Sequence, residues 1–199
     1  MPTRAVLPKP YQKPHPPMWV AVSSPGTELD AADRGMGALG VNFTTFKEQE
    51  ERVEEYRRRI RNCTPAGEFV NDQLASANFL YVHEETEKGL DTGGRMLRTF
   101  QYLAGQLDMA KEAYPTKGYP SPGLLAASRR QASGPAGAGE PPEGIAIGNP
   151  EQVTRELKKW EATGVDRINF ILNAAETIPQ DEVLESLRVF ARDVMPHFA

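Results

Sequence analysis

The chain has 199 residues, of which 39% are hydrophobic and 25% are charged, and this composition supports one sizeable buried core. Its 23 basic and 27 acidic residues give a formal net charge of −4, so nucleic acid is not expected as a partner. The chain has a single cysteine and no stretch typical of a signal peptide or a membrane span. We therefore expect a cytoplasmic protein without a membrane partner.

The amino-terminal part predicts an extended arm, a strand and a helix. The first 17 residues contain six prolines, which exclude a helix there. Met18 to Val22 is an apolar run between prolines and the polar turn SSPG, as in a buried strand of a parallel sheet. The turn leads into a helix with Ser24 as the predicted N-cap, Pro25 as the first helical residue and Gly35 as the stop.

The turn after this first strand is a candidate phosphate site. A helix that starts directly behind a strand offers unpaired backbone N–H groups to an anion. The hydroxyls of Ser23, Ser24 and Thr27 add hydrogen-bond donors at the same place. Capping of the helix is the commoner role of such serines, so the pattern alone leaves both interpretations open.

Strands and helices alternate in the rest of the chain. Further strands are predicted at Ala38–Asn42, Ala77–His83 and Asp166–Leu172. Charged helices are predicted after Thr44 or Thr45, after the N-cap Asn149 and from Pro179 to a stop before Pro196. This alternation indicates right-handed parallel crossovers and therefore an α/β fold.

Two segments interrupt the pattern. Gly89, Gly93 and Gly94 fall within one predicted helix and each costs about 1 kcal/mol relative to alanine, so we expect a break near Gly93 and a new start at Arg95. Residues 114–144 are rich in proline and glycine and are predicted to form a flexible loop, either a linker or a functional lid.

Both ends of the chain resemble one enzyme family. Residues 7–35 resemble the proline-rich approach, strand and Ser-Ser-Pro turn of bacterial luciferase-like flavin-dependent monooxygenases. Residues 147–171 and 179–198 resemble the closing segments of the same family, whereas residues 95–144 are much less similar. The resemblance implies that Ser23, Ser24 and Thr27 contact the flavin phosphate.

The resemblance implies a (β/α)8 TIM barrel, but a complete barrel takes about 250 residues and only four good strands are found. We therefore predict a partial barrel in one domain, residues 1–199, corresponding to the carboxyl-terminal half of a family member. The half that carries the family's catalytic histidine region has no counterpart. Open sheet edges and an open inner face predict an oligomer, or a partner chain that completes the barrel.

The functional prediction is a flavin-dependent oxidoreductase that uses reduced FMN and O2 to oxygenate a small organic substrate, with a flavin reductase as a further partner. Here the chain is expected to be a carboxyl-terminal fragment, whose activity belongs to the complete protein. One alternative is a non-catalytic half-barrel that binds flavin or serves in assembly. Another is hydride transfer with a deazaflavin coenzyme.

No catalytic residue is assigned from the sequence. Asn42, His83 and Asn173 lie at predicted carboxyl ends of strands, where barrel active sites form. A strand-end histidine is more commonly satisfied by a neighbouring carboxylate, and the asparagines suit turns. His15 and His197 are expected to be solvated, and no spacing predicts a metal site.

Overall fold

The computed structural model describes residues 7–22, 26–41, 45–113 and 141–198. The described strands are β1 (Trp19–Val22), β2 (Gly37–Val41), β3 (Leu74–Val82), β4 (Ala146–Gly148) and β5 (Arg167–Ile171). The helices are α1 (Thr27–Asp33), α2 (Phe46–Ile60), α3 (Thr86–Ala113), α4 (Pro150–Ala162) and α5 (Gln180–Val189). After α5 the chain continues in a π turn, Phe190–Val194, and a 3-10 turn, Met195–Phe198.

All the described strand pairs are parallel, and β3 is the centre of the sheet. Its residues 75–77 pair with β2 on one edge and with β5 on the other, which gives the order β1-β2-β3-β5. The short strand β4 pairs with the last three residues of β3. The predicted α/β fold with four main parallel strands is confirmed, and β4 is a short strand in addition to the four predicted ones.

The core lies mainly between the outer face of the sheet and the helices. Leu80 and Val82 of β3 pack against α4 and α5, where Val153, Trp160 and Val189 are buried. A second cluster joins β2 and β3 to α1 and α2. On the opposite face, α3 covers Phe79 and Tyr81 at the carboxyl end of β3.

The start of α1 differs from the prediction. The helix begins at Thr27 rather than Pro25, and its N-cap is Gly26 with φ of 88° and no side-chain hydrogen bond. A left-handed residue at this position favours glycine, so backbone geometry outweighs the capping preference of Ser24. The predicted stop at Gly35 is confirmed: φ is 65°, and its N–H and that of Met36 donate to the carbonyls of Ala32 and Ala31.

The predicted break near Gly93 is wrong, because α3 is continuous from Thr86 to Ala113. Two of its glycines allow the helix to approach β4 closely. A Cβ at Gly89 would lie 2.7 Å from the Gly148 carbonyl oxygen, and one at Gly93 would lie 2.4 Å from Cγ2 of Ile147. Tertiary packing therefore compensates for the low helix propensity of these residues.

Other helix starts follow the sequence prediction. Thr45 with Glu48, and Asn149 with Gln152, form reciprocal capping boxes at the starts of α2 and α4. His15 is not solvated as expected: its Nε2 accepts the Glu68 N–H at 2.9 Å, and its ring stacks on Phe69. His197 is exposed. Most of the predicted loop, residues 114–140, lies outside the described residues.

Contacts at the amino ends of the strands attach α2 to the sheet. Arg57 Nη2 lies 2.6 Å from Asp166 Oδ2, and that oxygen also accepts the Leu74 N–H at 2.6 Å. The buried Tyr56 hydroxyl donates to the Met36 carbonyl at 2.8 Å, and burial raises the pKa of Tyr56. These bonds connect α2 to the segments that lead into β2, β3 and β5.

We predict opposite effects of alanine at two glycines of α3. Gly93→Ala should destabilise the fold by about 1–3 kcal/mol, because the new methyl group overlaps Ile147. Gly105→Ala should stabilise it by about 0.5–1 kcal/mol, because a Cβ there meets no described atom within 4 Å and alanine favours the helix. Urea unfolding followed by circular dichroism measures both, and equal effects would contradict the packing role of Gly93.

Candidate functional site

The candidate site lies at the carboxyl edge of the sheet, on the face opposite α1 and α2. This inner face is defined by residues that share one side of the paired strands, namely Trp19, Ala21, Gly37, Leu39, Ala75, Ala77, Arg167 and Asn169. Ala21 and Asn169 are exposed on it. Ligands of parallel α/β folds bind beyond the carboxyl ends of the strands. A cofactor site is therefore expected at this edge.

The inner face is curved, and its amino end is filled by two large side chains. The Arg167 guanidinium carbon lies 5.9 Å from the centroid of the Trp19 ring, although β2 and β3 separate their strands. Gly37 and Ala75, which lie between them on this face, leave the space that the two side chains cross. Trp19 and Arg167 therefore close the inner face at its amino end, whereas its carboxyl edge is open.

The carboxyl end of β1 leads to the predicted phosphate turn. Ser23 and Ser24 lie outside the described residues, whereas Thr27 is the first residue of α1. The N–H groups of Leu29 and Asp30 donate to the Gly26 carbonyl at 3.0 and 3.2 Å. Gly26 has no side chain with which to cap the helix, and first-turn N–H groups of this kind suit an anion such as a phosphate.

A buried carboxylate lies directly after Thr27, and sequence reasoning did not place it inside the fold. Glu28 is 8% exposed and lines a cavity of about 30 Å³ between α1, α2 and the outer face of β2. Its Oε1 is 4.0 Å from Arg52 Nε. Its Oε2 and Gln49 Oε1 have no hydrogen-bond partner among the described residues. The sequence does contain a sign of this buried polar pair. Gln49 lies on the same face of α2 as the buried Val53, Tyr56 and Ile60.

Three further residues were predicted at the ends of strands. His83 and Asn173 have hydrogen-bond partners with structural roles, and Asn42 is not among the described residues. His83 Nδ1 accepts the Glu85 N–H at 3.0 Å, a backbone partner rather than the expected carboxylate. Asn173 is a turn residue: its amide donates to the Ile178 carbonyl at 2.8 Å and accepts the Ile178 N–H at 3.2 Å.

Near the end of β3 the inner face is closed by α3. Tyr81 is only 2% exposed, and burial raises its pKa, so its side chain is not accessible to a ligand at this edge. The accessible part of the edge therefore belongs to β1, β2 and β5. Asn169 on β5 is a polar side chain there that sequence reasoning missed, although the alternation in RINFI indicates it.

Within the described ranges, no group of three His, Cys, Asp or Glu side chains is arranged to hold a metal ion. None of the helices in that part of the chain is both long and apolar enough to cross a bilayer.

No protein-family model matches the chain, but one curated relative does. The oxygenase component of the flavin-dependent trigonelline monooxygenase of Acinetobacter baylyi is 23% identical over 205 aligned residues. The alignment covers 100% of this chain and 53% of that protein. The chain thus spans about half the length of the curated relative it matches.

Solved structures give the same picture of the fold. Monooxygenase RslO1 from Streptomyces bottropensis has a TM-score of 0.61 and 20% identity, over 97% of this chain and 51% of that one. The resemblance to the luciferase-like flavin-dependent monooxygenases is confirmed. The oxygenating constituent of 3,6-diketocamphane monooxygenase from Pseudomonas putida, in complex with FMN, has a TM-score of 0.55 and 16% identity, covering 92% and 49% of the two chains.

A coenzyme F420 dependent tetrahydromethanopterin reductase from Methanopyrus kandleri is also similar. Its TM-score is 0.55 at 13% identity, over 92% of this chain and 51% of that one. At such identities the structures show a shared fold. All three matches cover about half of the longer chain, which agrees with a carboxyl-terminal half-barrel of the monooxygenase relatives.

Two asparagines near the site differ in their predicted contribution to stability. Asn173→Ala should cost about 1–2 kcal/mol, because it removes both hydrogen bonds to Ile178 in a half-buried loop. Asn169→Ala, four residues earlier on the exposed inner face, should change stability by less than about 0.5 kcal/mol. Chemical denaturation of both variants tests this, and a larger loss at Asn169 would show that its side chain is structural.

Proposed function

We propose that this chain is the cofactor-phosphate half of a flavin-dependent monooxygenase that acts on a small organic substrate. The observation that carries the proposal is the start of α1 directly behind β1, at a left-handed glycine without a side-chain cap. It coincides with the turn whose residues resemble the family's phosphate site. The match to an oxygenase component along 100% of the chain supports the same reaction class.

The residues available at this turn fit the phosphate of FMN. Thr27 contributes a hydroxyl and, with its neighbour, first-turn N–H groups, and Ser23 and Ser24 are proposed to add two further hydroxyls. Glu28 does not oppose an anion there, because its carboxylate occupies the cavity beside Arg52. The proposed phosphate contacts therefore combine neutral donors and the positive end of a helix.

When bound, reduced flavin supplies the electrons with which O2 is activated for transfer of one oxygen atom. The described residues contribute binding and shielding: Leu39 and Ala21 give the inner face an apolar wall, and Asn169 offers an amide to a polar edge of the ligand. No described residue has the contacts of a catalytic acid or base, so we place that role in the half that completes the barrel. A flavin reductase is the proposed source of reduced FMN.

Two other functions remain consistent with the same turn. A deazaflavin coenzyme also carries a phosphate, and the F420 dependent reductase shares this fold. A non-catalytic half-barrel that binds flavin uses the same contacts without turnover. A cytoplasmic location stays a prediction from the cysteine content.

The test is a titration of the chain with oxidised and reduced FMN, followed by flavin fluorescence. Ser23→Ala/Ser24→Ala and Thr27→Ala should each raise the Kd about tenfold or more, since hydrogen bonds to charged groups contribute about 1.5–3 kcal/mol. Thr99→Ala is the matched control, because that hydroxyl donates to the Arg95 carbonyl within α3. It should leave the Kd unchanged.

Riboflavin, which lacks the phosphate, separates the phosphate contacts from those of the ring. Its affinity should be the same for the unmodified chain and the double serine variant. Tight FMN binding that survives both sets of substitutions would contradict the assignment of the turn. If the unmodified chain binds no flavin, the site requires the completing half and the proposal for this chain alone fails.

A further inference from the structure

The cavity between α1, α2 and the outer face of the sheet is lined by two buried polar side chains. Glu28 and Gln49 are 8% and 6% exposed. Glu28 Oε2 and Gln49 Oε1 have no hydrogen-bond partner among the described residues. A buried acceptor without a donor is costly, and two acceptors cannot bond to each other. We propose that one water molecule binds in this cavity, donates to both oxygens and thereby joins the first turn of α1 to α2.

The size and the walls of the cavity suit a water molecule. A buried water needs about 10–15 Å³ and two to four polar partners, and the cavity measures about 30 Å³. The space arises on the outer face of β2, because Ala38 and Gly40 carry little or no side chain there. Most of the remaining wall is apolar, with Val22, Val53 and Leu74. The water is therefore held at the polar side of the cavity, between α1 and α2.

The charge of Arg52 favours water over a cation. Its Nε lies 4.0 Å from Oε1 of Glu28, so the guanidinium already balances the charge of the carboxylate. A metal or ammonium ion would add a second positive charge beside it, which is unfavourable at this distance. Water brings no net charge and carries two O–H donors, one for each of the two acceptor oxygens.

The water completes the contacts between α1 and α2. In the middle of α1, two alanines are buried in the apolar cluster that the helices share. At its last turn, Oδ2 of Asp33 lies 2.8 Å from Nη1 of Arg59. At its first turn, the 4.0 Å separation of Glu28 and Arg52 is too long for a hydrogen bond. The water bridge supplies the hydrogen bonds that hold this first turn on α2.

The bridge also gives Gln49 a positioning role, a step that rests on the proposed function. Thr27 directly precedes Glu28, and the N–H groups of Leu29 and Asp30 donate to the Gly26 carbonyl in the same turn. Where the Glu28 side chain is held therefore determines how this turn is oriented. Gln49 acts through the water and Glu28 and contacts no cofactor itself.

Crystal structures of the unmodified chain and of the Glu28→Met/Gln49→Met variant test the water site, at a resolution that shows ordered waters. Methionine keeps the length of both side chains and removes the acceptors. The expected result is a water about 2.5–3.0 Å from both oxygens in the unmodified chain and none at this place in the variant. An empty cavity, a metal ion in it, or a direct hydrogen bond between the two side chains would overturn the proposal.

Chemical denaturation of the single variants tests whether the two side chains act together. Glu28→Met and Gln49→Met should each lower the folding equilibrium constant about tenfold, because each leaves the other acceptor buried and poorly satisfied. The double variant should recover most of this loss, since both acceptors are then gone. Glu50→Met is the matched control at an exposed position of α2, with an expected change of less than about twofold. Additive losses in the double variant would contradict the bridge.

Hydrogen exchange shows where the bridge acts. In Gln49→Met the amides of Leu29 and Asp30, in the first turn of α1, should exchange about tenfold faster than in the unmodified chain. The amides of Arg34 and Gly35, which donate to carbonyls of the last turn, should keep their rates. Equal acceleration at both ends of α1 would overturn the assignment of the bridge to the first turn.

Titration with FMN and riboflavin tests the positioning role separately. Gln49→Met should raise the Kd for FMN about threefold or more and leave the affinity for riboflavin, which lacks the phosphate, unchanged. Equal FMN affinity of the variant and the unmodified chain would overturn the positioning role. If the unmodified chain binds no FMN, the proposed function and the positioning role fail together, whereas the crystal structures test the water site independently of flavin.

Discussion

The whole structure depends on the pairing of β3 along both of its edges. The same backbone segment, residues 75–77, bonds to β2 and to β5, and the last residues pair with β4. Its side chains alternate between the two faces, so Leu80 and Val82 lie under α4 and α5 while Phe79 and Tyr81 lie under α3. A shift of β3 by one residue would exchange these two sets and separate α3, α4 and α5 from these core contacts.

The two ends of the strands have different roles. At the amino ends, Arg57 and Asp166 connect α2 to β3 and β5, and Trp19 with Arg167 fills the space on the inner face. These contacts hold α2 and the strands in place and fill the amino end of the inner face, so little room is left there for a ligand. At the carboxyl ends, Gly26 leaves the start of α1 without a side-chain cap, and Ala21 and Asn169 remain exposed. The stabilising contacts thus lie at the amino edge, whereas exposed positions lie at the carboxyl edge, which is the edge where barrel enzymes bind their ligands.

The sequence predicted the main elements well where local signals were strong. Apolar runs marked the four main strands, and Thr45 and Asn149 marked helix starts with capping boxes. The errors arose where tertiary geometry outweighs propensity. α1 starts at Thr27 instead of Pro25, because its N-cap is Gly26 in a left-handed conformation. Gly89 and Gly93 belong to an unbroken helix, because β4 lies too close for a side chain.

The candidate site was only partly predictable for a related reason. Thr27 was predicted from its place after an apolar strand, a local pattern, and its role at the site stays a prediction. Glu28 and Gln49 come together only when α1 packs on α2, and the Trp19–Arg167 contact joins strands separated by β2 and β3. Such contacts depend on sheet order, which one sequence does not specify. The alternation along β5 separates Asn169 from the apolar residues of the strand, but sheet order decides which face becomes the inner one.

The alternation along β5 gives the two faces of this strand different characters. Arg167 and Asn169 point to the inner side, whereas Ile168 and Phe170 point to the helices. The face without a helical cover near β5 is thus polar, and β1 contributes only Trp19, which Arg167 partly covers, and the small Ala21. Inward-pointing charges limit indiscriminate pairing of open strand edges. Arg167 and Asn169 therefore give the inner face polar character at β5, while Ile168 and Phe170 on the outer side of the same strand join the apolar core.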